Sequence, residues 1–293
     1  MRNSKPSGLY TAIDMFHTIG GAMHNRDGTH NRDNYQTMKI NVEGQISQYE
    51  TAITEQPITL ERIKPLWAND CAEKKTAHDM YKSEHPKIQE MRNDLMRING
   101  AGKVYKCPIC ECDDVVHLDH YIPRDVMPEF SVMPQNLIYL CDRCNTKKDT
   151  LWLDDQGNRI IFNAYYDRIS GVELLSCKVE QVVNNLPFAE LDEKLPAGFT
   201  PEIERELETL RKLELIDFYA GKVNEQLQTS CKLALASSAR MKGEGNNKED
   251  IWNTLCSDYR NLLSNTNNTI IEKLTFEGLI NSSIMKDWLD NNS

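Results

Sequence analysis

The fold turns on residues 106–148, which read KCPIC (106–110), then Glu111-Cys112, then DDVVHLDHYIPRDVMPEFSVMPQNLIYL (113–140), then CDRCNTKK (141–148). Two Cys-x-x-Cys pairs, Cys107/Cys110 and Cys141/Cys144, bracket the stretch. Each pair presents two thiolates on a tight knuckle, and two knuckles make the tetrahedral four-sulfur cage that suits Zn2+ at about 2.3 Å per bond. Cys112 reads as a bystander, with substitution for one ligand as the alternative. Thirty residues separate Cys110 from Cys141, more than the roughly 15 to 20 of a simple zinc ribbon, so the cage pins an element inserted between its halves. That insert carries a short apolar run ending in His117, Asp119 and His120, then a loop with Pro123, Pro128 and Pro134, then Gln135-Asn136 entering a second apolar run. In an extended strand His117 shares a face with Asp119, and His120 points the other way.

Phosphodiester hydrolysis needs a base to deprotonate water and a cation to absorb charge on the scissile phosphate and leaving oxygen. His120 can be the base, because an unperturbed imidazole is largely neutral near pH 7. Asp119 and Asn145 offer oxygens to one hard cation, which favours Mg2+ or Mn2+ over softer metals. His117 is balanced between touching phosphate or metal and a structural hydrogen bond. Arg124, Lys147 and Lys148 are candidates to hold backbone phosphates without reading sequence; for Arg124 a surface salt bridge to Asp125 or Glu129 is the competing expectation.

Cys107-x2-Cys110, Leu118-Asp119-His120-Tyr121-Ile122-Pro123, Asn136-Leu137, Cys141-x2-Cys144-Asn145 and Lys148 together resemble the HNH nucleases of the ββα-metal (His-Me finger) fold, in the form braced by a four-cysteine zinc site. The resemblance covers about 45 of the 293 residues. Asn145 stands where the family name has its last H, so the chain resembles the H-N-N variant. The resemblance implies catalysis by His120, Asp119 and Asn145. It also implies that Asn136 orients the loop and the base through hydrogen bonds rather than binding metal. Downstream, Phe162-Asn-Ala164-Tyr165-Tyr166-Asp167 is similar to the F-x-P-Y-x-D stretch of bacterial HNH proteins found among antiviral defence genes, with Ala164 in place of the proline. This implies a defence effector held in check or directed by a partner such as an ATPase.

Around this block, 40% hydrophobic residues and 27% charged ones suit one or two globular cores. No apolar run nears the roughly 20 residues of a membrane span, and the clustered cysteines fit a reducing compartment, so a cytoplasmic protein without membrane contact is expected. The net charge of −10 argues against DNA coating by bulk electrostatics. Residues 151–293 carry 15 basic and 23 acidic groups, which makes that half a poorer DNA surface than a core or a protein-docking region.

Residues 1 to about 57, rich in Gly, Asn, Asp and Thr, are expected to be irregular. Helical spacing follows from Thr59 to Ile98, with Asn99-Gly100 as a stop. Short strands are expected at 115–118, 137–140 and 159–162. Thr200-Pro201-Glu202 starts a helix whose apolar stripe runs Ile203, Leu207, Leu210, Leu213, Ile216, Tyr219, Val223 and Leu227. Packing of this stripe into the core competes with pairing to a helix from another chain. KGEGNNK (242–248) reads as a link ahead of helices near 251–263 and 269–289. The expected fold is α+β and mostly helical: an N-terminal irregular then helical region (1–100), the nuclease finger with its zinc site (101–170) and an acidic helical region (171–293). A metal-dependent DNA endonuclease is the expected activity. The alternative is a non-catalytic zinc-braced adaptor that binds nucleic acid or protein.

Overall fold

The computed structural model describes residues 1–25, 30–55, 57–82, 85–100, 105–265 and 268–292. The start expected for the finger (101–104), part of the run His24–Asn34, and two residues between the last expected helices lie outside these. The described residues form an α+β, mostly helical protein with two antiparallel two-stranded sheets. They divide into two compact units: 1–170 with 200–213, and 171–199 with 214–293.

In the first unit the expected irregular region is helical, a correction to the sequence reading. Helix α1 spans Ala12–Gly21, capped by the Thr11 side chain on the Asp14 N–H, and α2 spans Asn31–Thr54. The driving stripe in α2 is Tyr35, Met38, Val42, Ile46, Tyr49 and Ala52, buried at steps of 3 and 4 in an otherwise polar sequence. From Thr59 the expected helical stretch is broken into a 3-10 turn at Leu60–Arg62, α3 (Ala72–Lys82) and α4 (Pro86–Gly100). Pro65 and Pro86 lie at the interruptions, and α4 runs to Gly100, the last described residue before 105; whether Asn99-Gly100 stops it falls outside the described residues.

The inserted element follows as β1 (His117–His120), two 3-10 turns at Pro128–Phe130 and Pro134–Asn136, β2 (Leu137–Leu140) and α5 (Asp142–Lys148). β1 and β2 are antiparallel, with His117 opposite Leu140 and His120 opposite Leu137. Residues 159–162 form no strand; an isolated bridge joins Leu153 to Arg159. The finger rests on the N-terminal helices: Tyr49 of α2 lies edge-on to Phe130 at 5.0 Å, and its hydroxyl donates to the Gln135 carbonyl at 3.1 Å.

Helix α6 (Pro201–Lys212) starts at the expected cap, Thr200 accepting from the Ile203 N–H, and belongs to this first unit. A buried charge cluster ties it to the segment after the finger. Arg205 and Arg159 both reach Asp167, at 2.7 and 3.1 Å, and Arg159 also pairs with Glu61 at 3.2 Å.

The second unit contains a hairpin absent from the sequence reading, β3 (Leu175–Val183) and β4 (Leu186–Glu193). Asn184 and Asn185 both adopt positive φ (50° and 63°) at its turn, the conformation that a two-residue type I′ loop requires. Helices α7 (Leu215–Gly243), α8 (Lys248–Leu263), α9 (Ile270–Asn281) and α10 (Ser283–Asn292) complete the unit. Asn224 of α7 receives the Ala189 N–H and donates to its carbonyl, both at 2.8 Å, satisfying both backbone groups of that β4 residue. The expected stripe from Ile203 to Leu227 is buried in part on α6 and in part on α7, because Glu214 adopts φ 52° and ends one helix before the next begins. Among the described residues no helix is long and apolar enough to cross a membrane.

Candidate active site and metal centre

The four knuckle cysteines come together. One sulfur from each of Cys107, Cys110, Cys141 and Cys144 lies within 4.8 Å of the others, and all four residues are buried. Cys110 and Cys141 Sγ are 3.7 Å apart, close to the roughly 3.8 Å edge of a tetrahedron with 2.3 Å bonds. Glu111 follows the first knuckle at φ 59°, and the Glu111 N–H returns to the Cys107 carbonyl at 2.8 Å. In the second knuckle the Cys144 N–H donates to Cys141 Sγ at 3.4 Å. Hydrogen bonding from Cys107 draws the Cys110 thiol below the usual range, while Cys141 and Cys144 are pushed above it, first by their bonding to Cys107. Four sulfurs this close cannot all ionise unaided, and a divalent cation supplies the missing charge. The cluster could hold a zinc ion. Cys112 lies outside it and donates to the Cys110 carbonyl at 3.1 Å.

Helix α5 begins at the second knuckle and is laid over the outer face of β1. Its first residue, Asp142, receives His117 Nε2 at 2.9 Å, and its last, Lys148, reaches Asp119 Oδ2 at 2.8 Å. Asn145 is spaced three residues from each of these on α5, which puts it on the side of the helix that carries both contacts. No hydrogen bond engages the Asn145 side chain among the described residues. His117 is thus engaged by a carboxylate in an exposed pair.

Lys148, expected to hold phosphate, is instead buried. Its side chain is 3% exposed and that of Asp119 15%, and the same ammonium donates to the His120 carbonyl at 2.7 Å. A buried ammonium set between a carboxylate and a strand-end carbonyl is turned away from a duplex backbone. The contact is an ion pair, and the buried Oδ2 has no partner with full hydrogen-bond geometry. Burial raises the Asp119 pKa, with Lys148 pulling the other way. A buried carboxylate oxygen without a hydrogen-bond partner and a carboxamide on α5 are oxygen donors of the kind a hard divalent cation takes.

His120 projects to the opposite, buried face of β1. Its Nε2 lies 2.8 Å from the Ser131 carbonyl; a carbonyl only accepts, so Nε2 carries the proton and Nδ1 keeps the lone pair. Burial pushes the pKa down to about 3, partly offset by the bond to Ser131. The imidazole is therefore neutral across the physiological range. Asn136, fully buried, staples the loop that delivers Ser131: Oδ1 accepts the Ile122 N–H at 2.8 Å, and Nδ2 donates to the carbonyls of Ile122 at 3.1 Å and Phe130 at 3.4 Å.

Lys147 is partly exposed on α5. Arg124 forms neither expected salt bridge: Asp125 receives His78 Nε2 at 2.8 Å and Glu129 accepts the Leu66 N–H at 2.7 Å. The Arg124 guanidinium lies over the Tyr81 ring at 5.5 Å and borders a cleft of about 590 Å3 also lined by Lys74, Lys75 and His78.

No family model matches the chain, and no solved structure matches it. Among curated proteins it is similar to Protein ea31 of Escherichia phage lambda, 37% identical over 65 residues. That stretch is 22% of this chain and 22% of that protein, so the chain spans about a fifth of the length of the curated relative it matches.

Sequence reasoning missed the contribution of α3. Tyr81 lies edge-on to His120 with ring centroids 4.5 Å apart, and Ser131 Oγ donates to the Ala77 carbonyl at 2.6 Å. Both α3 residues lie about 40 positions before the finger strand, and no local signal links them to it. Helical burial of Thr76, Ala77 and Met80 shows only which face of α3 turns inward.

Proposed function

We propose that the protein is a metal-dependent HNH endonuclease that hydrolyses DNA phosphodiester bonds. One observation carries the proposal: a buried, neutral imidazole with its lone pair confined to Nδ1 ends the same short strand as a buried carboxylate whose charge partner is a single lysine. In this reading His120 takes a proton from water at Nδ1 while the Ser131 carbonyl holds the ring by its other nitrogen. Asp119 and Asn145 would hold Mg2+ or Mn2+, which when bound supplies positive charge for the phosphate and the leaving oxygen. Asn136 keeps the loop from Ile122 to Phe130 in place, and the four cysteines, with zinc, fix α5 against β1. Lys147 and Arg124 remain candidates for phosphate contact.

Supercoiled plasmid, single-stranded DNA and RNA incubated with Mg2+, Mn2+ or EDTA test the assignment. DNA nicked or cut only in the presence of divalent metal supports it; no cleavage of DNA under any metal sinks it.

The Lys148–Asp119 ion pair favours a second reading, a zinc-braced adaptor that binds nucleic acid or protein without catalysis. That reading requires one tightly held zinc, no Mg2+ dependence and unchanged binding in Asp119→Ala and His120→Ala. We further propose that the nuclease serves as a defence effector controlled by a partner protein such as an ATPase. Co-purification from the native host tests this, and recovery of the chain alone argues against it.

A further inference from the structure

We propose that Tyr81 is a positioning residue for His120, and that helix α3 braces the base from both sides. This rests on the nuclease reading for its kinetic consequence, not for its geometry. On one side the edge-to-face contact at 4.5 Å, with rings at 75°, walls the imidazole against rotation. On the other, the carbonyl that fixes the tautomer belongs to Ser131, whose hydroxyl is anchored on Ala77 one turn earlier in α3.

Tyr81 is itself immobilised. Its hydroxyl donates to the Leu118 carbonyl on β1 at 2.9 Å and accepts from Arg92 of α4 at 3.4 Å, and Arg124 covers its ring. A buried imidazole with one hydrogen bond retains freedom about χ2 unless packing removes it. The phenol ring removes it, and the hydroxyl links to β1 and α4 add a secondary restraint on a ring already held by packing. Tyr81 acts through the ring it holds.

Two measurements on the full-length, zinc-loaded chain test this. The first is a long-range 1H–15N spectrum of histidine-labelled protein, with His120 assigned by its loss in His120→Gln. Wild type shows a single Nε2–H tautomer for His120; Tyr81→Leu shows a second tautomer or a broadened signal, and Tyr81→Phe restores the single one. The second is metal-dependent cleavage. Tyr81→Leu lowers kcat by about ten- to a hundredfold, the scale of a misplaced catalytic group, with KM changed by less than about threefold, and Tyr81→Phe recovers most of kcat. Zinc content and thermal unfolding establish that each variant is folded; Tyr81→Met, closer in volume, replaces Tyr81→Leu if that variant fails. An unchanged tautomer signal in the folded variant, or an unchanged kcat in a protein that cleaves, overturns the proposal. If wild type cleaves nothing, the nuclease reading falls, and the tautomer spectrum alone decides whether Tyr81 positions the imidazole.

Discussion

Replacing Lys148 with Met keeps the buried aliphatic stem and removes the one cation paired with Asp119 in a nearly dry setting. Breaking a buried ion pair from one side leaves an uncompensated charge and costs about 3–5 kcal/mol at neutral pH. The Asp119 pKa is already raised by burial, and Lys148 is the largest influence opposing that rise, so the variant's pKa climbs further. A carboxyl whose folded pKa is raised is stabilised in its protonated form. Stability is present below the ordinary carboxyl value and is lost as pH rises through the folded value. The deficit of Lys148→Met is therefore largest at pH 7.5 and shrinks as pH falls toward the raised value. Hydrogen exchange at the β1 and β2 amides reads the opening free energy of the finger itself. If ammonium and divalent ion share one carboxylate, Mg2+ at ten times its Kd returns about 1.4 kcal/mol, and more of it in the variant than in wild type. Equal protection of the two proteins at pH 7.5, or equal stabilisation of both by Mg2+, would refute the claim that Lys148 holds the cation position at Asp119.

Three further outcomes follow from the same site. Cys144→Ser should lose the single zinc per chain measured by elemental analysis and expose the finger to proteolysis, because the cage joins the start of α5 to the first knuckle. Asn136→Ala removes three buried hydrogen bonds at roughly 0.5–1.5 kcal/mol each, so thermal unfolding should show a loss of about 2–4 kcal/mol; a loss below about 1 kcal/mol contradicts the stapling role. The depressed His120 pKa of about 3 means that the folded state stays neutral while the unfolded chain takes up a proton below about pH 6.5. Stability from this group is thus lost as pH falls from 6.5 toward 3, and the pH–rate profile should show no inflection from His120 between pH 6 and 7. An inflection there that disappears in His120→Gln contradicts the burial argument.

The parts of the fold that local chemistry determines were legible in the chain. Paired cysteines at fixed spacing and Thr200-Pro201 at a helix start act within a few residues, and each has the structure its residues imply. Helix α2 was legible only by spacing: Tyr35, Met38, Val42, Ile46, Tyr49 and Ala52 form a stripe, but Asn, Thr, Ser and Gly between them carry weak helix propensity, and packing overrides it. The β3–β4 hairpin had its own signal in Asn184-Asn185 between alternating buried residues. The break at Glu214 had none, since a left-handed glutamate is a tertiary outcome.

Within the candidate site, residue identity revealed which groups could do chemistry but not which were already engaged. Lys148 reads as a surface cation until α5 is laid over β1 and turns it toward Asp119. Tyr81 carries no motif at all; only the packing of α3 against the finger brings it to His120. Long-range placement of this kind depends on how elements dock, which neighbouring residues in sequence do not encode.

The most direct measurement of the central claim is the rate of plasmid nicking by wild type and His120→Ala at saturating Mg2+, with zinc content and thermal unfolding matched. A loss of at least about a hundredfold, the contribution of a positioned general base, is expected. Nicking by His120→Ala at the wild-type rate would contradict it.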